Sequence, residues 1–456
     1  MQGENMLVEY IKENKSASAF LFCFVFGMSL YANSVIFFID SREHLELFPP
    51  FKEGVNMNHN THLGAEYYYI AEAIASGKGY SNPFKVDTGP TAWMPPLYTY
   101  LLALLIILLK SRLLVACVVV FLKNIVLVFA GLVAYETAKK TFIKIKAEFI
   151  LLLYAAWLLS KFRWFFQHTH DGWLLLFFIC IIFPLAVFIR TNRISLKTAI
   201  IWGVVGGLSI LAGPVAGLVW LSLWLISMLS ARNIKMLSLS AVLFIAVCSP
   251  WFIRNYVVFD KFIFMKSNLF HDLYHFNYAQ ESGVLYELFV RQELVWTARK
   301  DPDCLYRRVG EAKFIEISKG KFFNAIKKDP YRFIRNLKER FLGALLINYP
   351  HYREYDKISL WRTALHAFPF FSVLLLVFFE GLNASSYIKV AILMYLIYLL
   401  PYIAVSYYVR YALPLTPLKI LFCFWGLDLL VSRLSGATRA NDRDTSFSSR
   451  GDTHRS

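Results

Sequence analysis

The chain has 456 residues, 57% of them hydrophobic and only 17% charged, with a mean hydropathy of +0.48. So little charge excludes an ordinary soluble domain and predicts an all-α polytopic membrane protein. Basic residues outnumber acidic ones 48 to 31, a net charge of +17; in a membrane chain such an excess marks cytoplasmic loops and anionic-lipid contacts, and no nucleic-acid motif is present.

The first apolar run, Ser16 to Ile39, is long enough to cross a bilayer and lacks a following small-residue cleavage site, so it reads as a retained helix. Further charge-poor runs fall at about 113–138, 147–166, 172–189, 198–214, 215–230, 236–252, 360–379, 387–406 and 412–432, which predicts about ten crossings. The stretch Leu97 to Leu109 follows Pro95 and Pro96 and is short for a span, so it is expected to lie on the membrane surface or re-enter it. Cys23, Cys117, Cys180, Cys248, Cys304 and Cys423 are scattered, mostly within apolar runs, and suggest small core residues rather than disulfides or a zinc site.

Lysine and arginine are retained in the cytoplasm during insertion. The clusters Lys139, Lys140, Lys144 and Lys146; Arg190, Arg193 and Lys197; and Arg232 and Lys235 therefore predict both termini inside. Two regions then face outward. Residues 40–112 form a first outer loop within an N-terminal transmembrane region, 1–252. Residues 253–358 form a small extracytoplasmic helical domain, in which Phe314, Ile317, Phe322, Ile326, Phe333 and Leu337 make an apolar stripe. C-terminal transmembrane helices occupy 359–433, and the charged, serine-rich tail 434–456 lacks the apolar residues to fold.

The outer regions hold the candidate chemistry. The first contains His62-Leu-Gly-Ala-Glu66-Tyr-Tyr-Tyr, then Gly77-Lys-Gly-Tyr, then Gly89-Pro-Thr-Ala-Trp-Met-Pro-Pro-Leu-Tyr98. Asp171 starts a span, where an acid either caps the helix or serves a site. Pro250-Trp-Phe-Ile-Arg254-Asn255-Tyr256 ends another, and Arg410-Tyr411 precedes Pro414 and Pro417. By topology Glu66, Asp171, Arg254 and Arg410 share one membrane face. A carboxylate there can take a hydroxyl proton, and cations can hold a leaving phosphate.

These segments resemble the bacterial branch of the superfamily of dolichyl-phosphate-mannose protein mannosyltransferases and aminoarabinose transferases, lipid-linked glycosyltransferases of the GT-C fold. The matching pieces are spread along most of the chain. Trp93-Met-Pro-Pro and Pro250-Trp-Phe-Ile-Arg-Asn are the most distinctive. Relatives often carry two adjacent acids where this chain has Ala65-Glu66, leaving one carboxylate.

The resemblance implies a GT-C-like bundle in the inner membrane that transfers a hexosyl or pentosyl group from a polyprenyl-phosphate donor, with inversion, on the extracytoplasmic face. The acceptor is a protein, a lipid or a glycan. It implies Glu66 and Asp171 as catalytic, Arg254, Arg410 and Lys123 as donor-phosphate ligands, and Tyr67, Trp93, Asn255 and Tyr411 as substrate contacts. Lys123 also reads as a snorkelling cation, Arg254 and Arg410 as interfacial anchors, and Tyr67, Tyr68 and Tyr69 as an aromatic belt. No cofactor is required by the sequence. A divalent metal is the one the outer histidines His59, His62, His168 and His170 could hold with the acids, but without helical spacing to fix a site they read first as solvated loop residues. A transporter or flippase of a lipid-linked sugar, and a glycan polymerase or ligase, stand as alternatives; the chain shows no related halves of the kind transporters often have.

Overall fold

The computed structural model describes residues 14–38, 63–84, 86–142, 144–167, 171–229, 234–279, 283–284, 303–349 and 358–448. Among them the regular structure is helical, with one isolated antiparallel bridge between Ser81 and Pro90. In chain order the α-helices are α1 (Lys15–Phe38), α2 (Ala65–Ala75), α3 (Pro96–Leu109), α4 (Arg112–Thr141), α5 (Phe149–Ser160), α6 (Gly172–Thr191), α7 (Leu196–Ala212) and α8 (Pro214–Leu229). They continue with α9 (Ile234–Phe259), α10 (Leu269–Tyr274), α11 (Leu305–Lys328), α12 (Pro330–Leu345), α13 (Leu360–Phe379), α14 (Ser386–Ala404) and α15 (Thr416–Ser448). The expected all-α polytopic class is the one found. α1, α4, α6, α9, α13, α14 and the segment Val409–Ser435 are long and apolar enough to cross a membrane. The remaining expected runs form the shorter apolar helices α5, α7 and α8.

Local chemistry sets the boundaries. Pro96 occupies the first turn of α3, where its missing N–H costs no hydrogen bond. Serine side chains cap α4 (Ser111), α7 (Ser195), α13 (Ser359) and α14 (Ser385), and Asp329 caps α12. Gly213 alone separates α7 from α8, and the indole of Trp220 donates back to the Trp202 carbonyl at 2.9 Å. α9 lies along α7, and a Cβ on Gly203 or Gly207 would meet Ser240 O at 2.4 Å or Val247 Cβ at 2.6 Å. Small residues four apart let these two backbones approach without a water-driven force between them.

Two ends of the bundle are distinguished by their polar contacts. At one, Lys139 Nζ bonds Asn14 Oδ1 and Glu136 Oε1, each at 2.9 Å, and Asp428 accepts the amides of Lys144 and Ile145 at 2.7 and 2.8 Å. The opposite end carries α2, α3, the start of α6, α10 to α12 and the 409–415 turn. α3 has 14 residues, a rise of roughly 21 Å and so too short for a hydrocarbon core of about 30 Å. It packs on α2 and exposes Leu104, Ile107 and Leu108. α15 runs on to Ser448, past the residue where the sequence reading ends the last span.

In the helical region before α13, Phe314 and Phe322 are buried as the stripe requires, but the second helix departs from it. α12 buries Asn336 and Arg340 and exposes Tyr331, Ile334, Leu337 and Phe341. The reason is tertiary: Arg340 donates to the Ile403 carbonyl at 2.7 Å and the Ala404 carbonyl at 3.2 Å, and to Asn277 Oδ1 at 2.9 Å. It thereby satisfies carbonyls that the end of α14 leaves without intrahelical partners.

Candidate active site

Glu66 lies in the first turn of α2 and is 5% exposed. Its neighbour Tyr67 donates from its hydroxyl to Asp171 Oδ2 at 2.9 Å, joining α2 to the start of α6. Burial, reinforced by the Asp171 charge, pushes the Tyr67 phenol well above its usual value, so it stays a proton donor to the carboxylate. Asp171 stands at the N-terminal boundary of α6 but makes no capping hydrogen bond with its side chain. Of the two readings of this acid, the cap is the one the geometry does not use.

Arg410 joins this group from the 409–415 turn. Its guanidinium sits over the rings of Tyr408 and Tyr411, 5.7 and 5.4 Å from their centroids, within electrostatic range of Asp171. Tyr411 stacks on Tyr402 at 4.6 Å and feels Arg410, Asp171 and Asp272. Asp272 is a further carboxylate, on α10, that motif reading passed over. Burial, against the pull of Lys266 and helped by the Glu66 charge, raises it to about 6. An acid between aromatic and histidine residues, Phe270-His-Asp272-Leu-Tyr-His275, was the available signal. Next to it His271 is buried against Trp93 and His275 and is held neutral, lowered to about 3.

Other predicted residues make contacts within the chain. Arg254 is half-buried and donates to the Thr91 carbonyl at 2.7 Å, the Tyr80 carbonyl at 2.8 Å and Asn255 Oδ1 at 3.0 Å. Asn255 is fully buried and donates to the Ile263 carbonyl at 3.2 Å. Trp93 is 3% exposed and packs edge-on against Phe84 and Tyr306. Lys123 is buried rather than snorkelling, and its Nζ bonds the Phe166 carbonyl at 3.3 Å, which Asn33 also reaches. His59, His62, His168 and His170 lie outside the described residues. Among the described residues no group of three or more His, Cys, Asp or Glu side chains could hold a metal ion.

The Gly89-Pro-Thr-Ala-Trp segment is clamped from two sides. Gly89 has φ +78°, a left-handed conformation open to glycine, and Asn82 Oδ1 accepts the Thr88 and Gly89 amides at 2.9 and 3.0 Å. Thr91 turns its carbonyl to Arg254 and its hydroxyl to Glu311 on α11. Glu311 is 3% exposed and also accepts the Ala92 amide and the Tyr306 hydroxyl, both at 2.7 Å. Burial raises its carboxyl against the hydrogen bonds that favour its charged form. Nothing in the local sequence around Glu311 marks it as the partner of a loop so far upstream.

No protein-family model matches the chain. No curated protein matches it in sequence either. Two solved structures of the oligosaccharyltransferase of Archaeoglobus fulgidus are similar to it, one in complex with Zn and sulfate, the other tethered through a disulfide to an acceptor peptide containing the NVT sequon. Both are 17% identical and cover 90% of this chain, with TM-scores of 0.47 and 0.46. The chain spans about half the length of those structures, 49% and 50%.

Proposed function

We propose that this protein is a membrane glycosyltransferase of the GT-C kind. It transfers a sugar from a polyprenyl-phosphate donor to an acceptor hydroxyl or amide at the extracytoplasmic membrane face. The observation that carries the reading is the Tyr67–Asp171 hydrogen bond. It joins Asp171 to the helix that carries Glu66 beside Tyr67, with Arg410 in electrostatic range of Asp171 and Asp272 in range of Glu66.

The chemistry then follows from charge. The acceptor atom bonds to the anomeric carbon as the bond from that carbon to the phosphate oxygen breaks. The electron pair leaves on the phosphate, and the Arg410 guanidinium offsets its charge. Glu66 takes the proton from the acceptor, with Asp272 the nearby carboxylate that can share it. Asp171, held by the Tyr67 phenol, orients the site. Arg254 acts by holding the Tyr80 and Thr91 carbonyls in place, so it positions the loop.

Sugar transfer from a defined polyprenyl-phosphate donor, measured with the purified full chain, tests the reading. Glu66→Gln keeps size and some hydrogen bonding but loses the basic oxygen, so turnover is expected to fall roughly 100-fold or more with donor binding retained. Asp171→Asn is expected to slow turnover as well. Near-normal turnover by Glu66→Gln removes it as the base; no transfer by the wild-type chain from any polyprenyl-phosphate sugar, with intact donor binding, leaves the transporter reading.

A further inference from the structure

Hydrogen-bond donors from two segments converge on the buried carboxylate of Glu311. Thr91 donates its hydroxyl and Ala92 its amide from the loop before α3, and Tyr306 donates its hydroxyl from the start of α11. Thr91, Ala92 and Tyr306 are themselves fully buried. Because each partner is a donor, both oxygens of Glu311 accept, which an ionised carboxylate does and a carboxamide cannot.

The clamp continues beyond the loop. Ala92 is bonded on both sides: its amide donates to Glu311 Oε1 at 2.7 Å, and its carbonyl accepts from the Ser267 amide at 2.9 Å. Ser267 lies two residues before α10, the helix that carries His271 and Asp272. Trp93, next in the chain, donates its amide to the Thr91 hydroxyl at 3.0 Å and sets its ring 5.4 Å from that of His271. One turn along α11 from Glu311, Phe314 packs on Trp93 and on His271, with ring centroids at 6.4 and 5.4 Å. Glu311 is therefore joined to α10 by a backbone route through Ala92 and by a ring route through Trp93 and Phe314.

We propose that Glu311 is a positioning residue for the transfer reaction: by holding residues 91–93 it fixes α10, and with it the Asp272 carboxylate. The use made of Asp272 rests on the function proposed above, whereas the coupling of α11 to α10 does not. Glu311 acts through the loop and not on the substrate. A displacement of about 1 Å at a reacting group can cost roughly 100-fold in rate, so a carboxylate outside the site has leverage on turnover.

Hydrogen exchange and sugar transfer by the purified full chain test it. Glu311→Gln keeps the size of the side chain but places a donor against donors. It is expected to speed amide exchange about tenfold or more both in residues 89–93 and in residues 267–274, with α4 and α6 unchanged. Turnover is expected to fall about tenfold or more while donor affinity stays within about threefold of wild type. Thr91→Val, which removes one donor, is expected to share both effects; Thr91→Ser, which keeps the hydroxyl, is expected to remain near wild type. Glu316→Gln, exposed on the same helix, is expected to change neither. If Glu311→Gln fails to fold, the two Thr91 variants carry the same expectations. Unchanged exchange in residues 267–274 overturns the coupling, and faster exchange with undiminished turnover overturns the positioning role. A wild-type chain that transfers no sugar counts against the proposed function, while exchange in residues 267–274 still decides the coupling.

Discussion

The carboxylate of Asp171 has two claimants, the first amides of α6 and the Tyr67 phenol, and its side chain goes to the phenol. A cap is a local device, readable from one helix start; the phenol comes from a helix 104 positions earlier. The same distinction governs Arg254, whose three hydrogen bonds go to the loop backbone and to Asn255. Arg254→Ala is therefore expected to lower turnover by loosening the Tyr80–Thr91 loop while donor affinity stays within about threefold of wild type. A larger affinity loss, as for a direct phosphate ligand, counts against the positioning role. Asp272 supplies a pH signature. Raised to about 6, its carboxylate is charged above that pH and protonated below it. Transfer is expected to fall as the pH drops through about 6, because a protonated Asp272 can no longer share the proton that Glu66 removes. In Asp272→Asn the limb near pH 6 is expected to disappear from the pH–rate profile, and its persistence assigns that limb to another group.

At the scale of elements, α12 is the instructive case. Its sequence alternates apolar and basic residues at helical spacing, which reads as an apolar face turned inward. The helix instead turns Arg340 and Asn336 inward, because the end of α14 presents carbonyls that need donors and apolar side chains cannot supply them. Stability should follow the observed packing. Arg340→Ala leaves buried carbonyls unsatisfied and is expected to cost about 3 kcal/mol or more, whereas Leu337→Ala, on the exposed face, is expected to cost about 0.5 kcal/mol or less. Thermal unfolding of the two variants in one detergent ranks them, and the reverse order contradicts the assigned face.

Across the whole molecule, the contacts between Lys139 and Asn14 and between Asp428 and the Lys144 amide define one end, and the carboxylates of the site cluster at the other. With lysines retained inside, the first end is the cytoplasmic one in the proposed function. In a cysteine-free background, a cysteine at Lys144 is expected to resist a membrane-impermeant reagent in intact cells. One at Lys313, exposed on α11, is expected to react. Labelling of position 144 alone inverts the topology and removes the site from the outer face.

Hydrophobic runs of spanning length, proline and serine at helix starts, and lysine clusters are properties of short stretches, so the sequence alone determined the all-α membrane class and nearly every helix. It also marked Glu66, Tyr67, Asp171 and Arg410 as candidates by residue type and local pattern. The tertiary structure decided which of them meet. Tyr67 reaches Asp171, Thr91 reaches Glu311 across 220 positions, and Asp272 joins Glu66 from a separate segment. It likewise withdrew Trp93 and Asn255 into the core. The physical reason is that a hydrogen bond or a raised carboxyl depends on distance and burial between groups far apart in the chain, and no local pattern records either quantity.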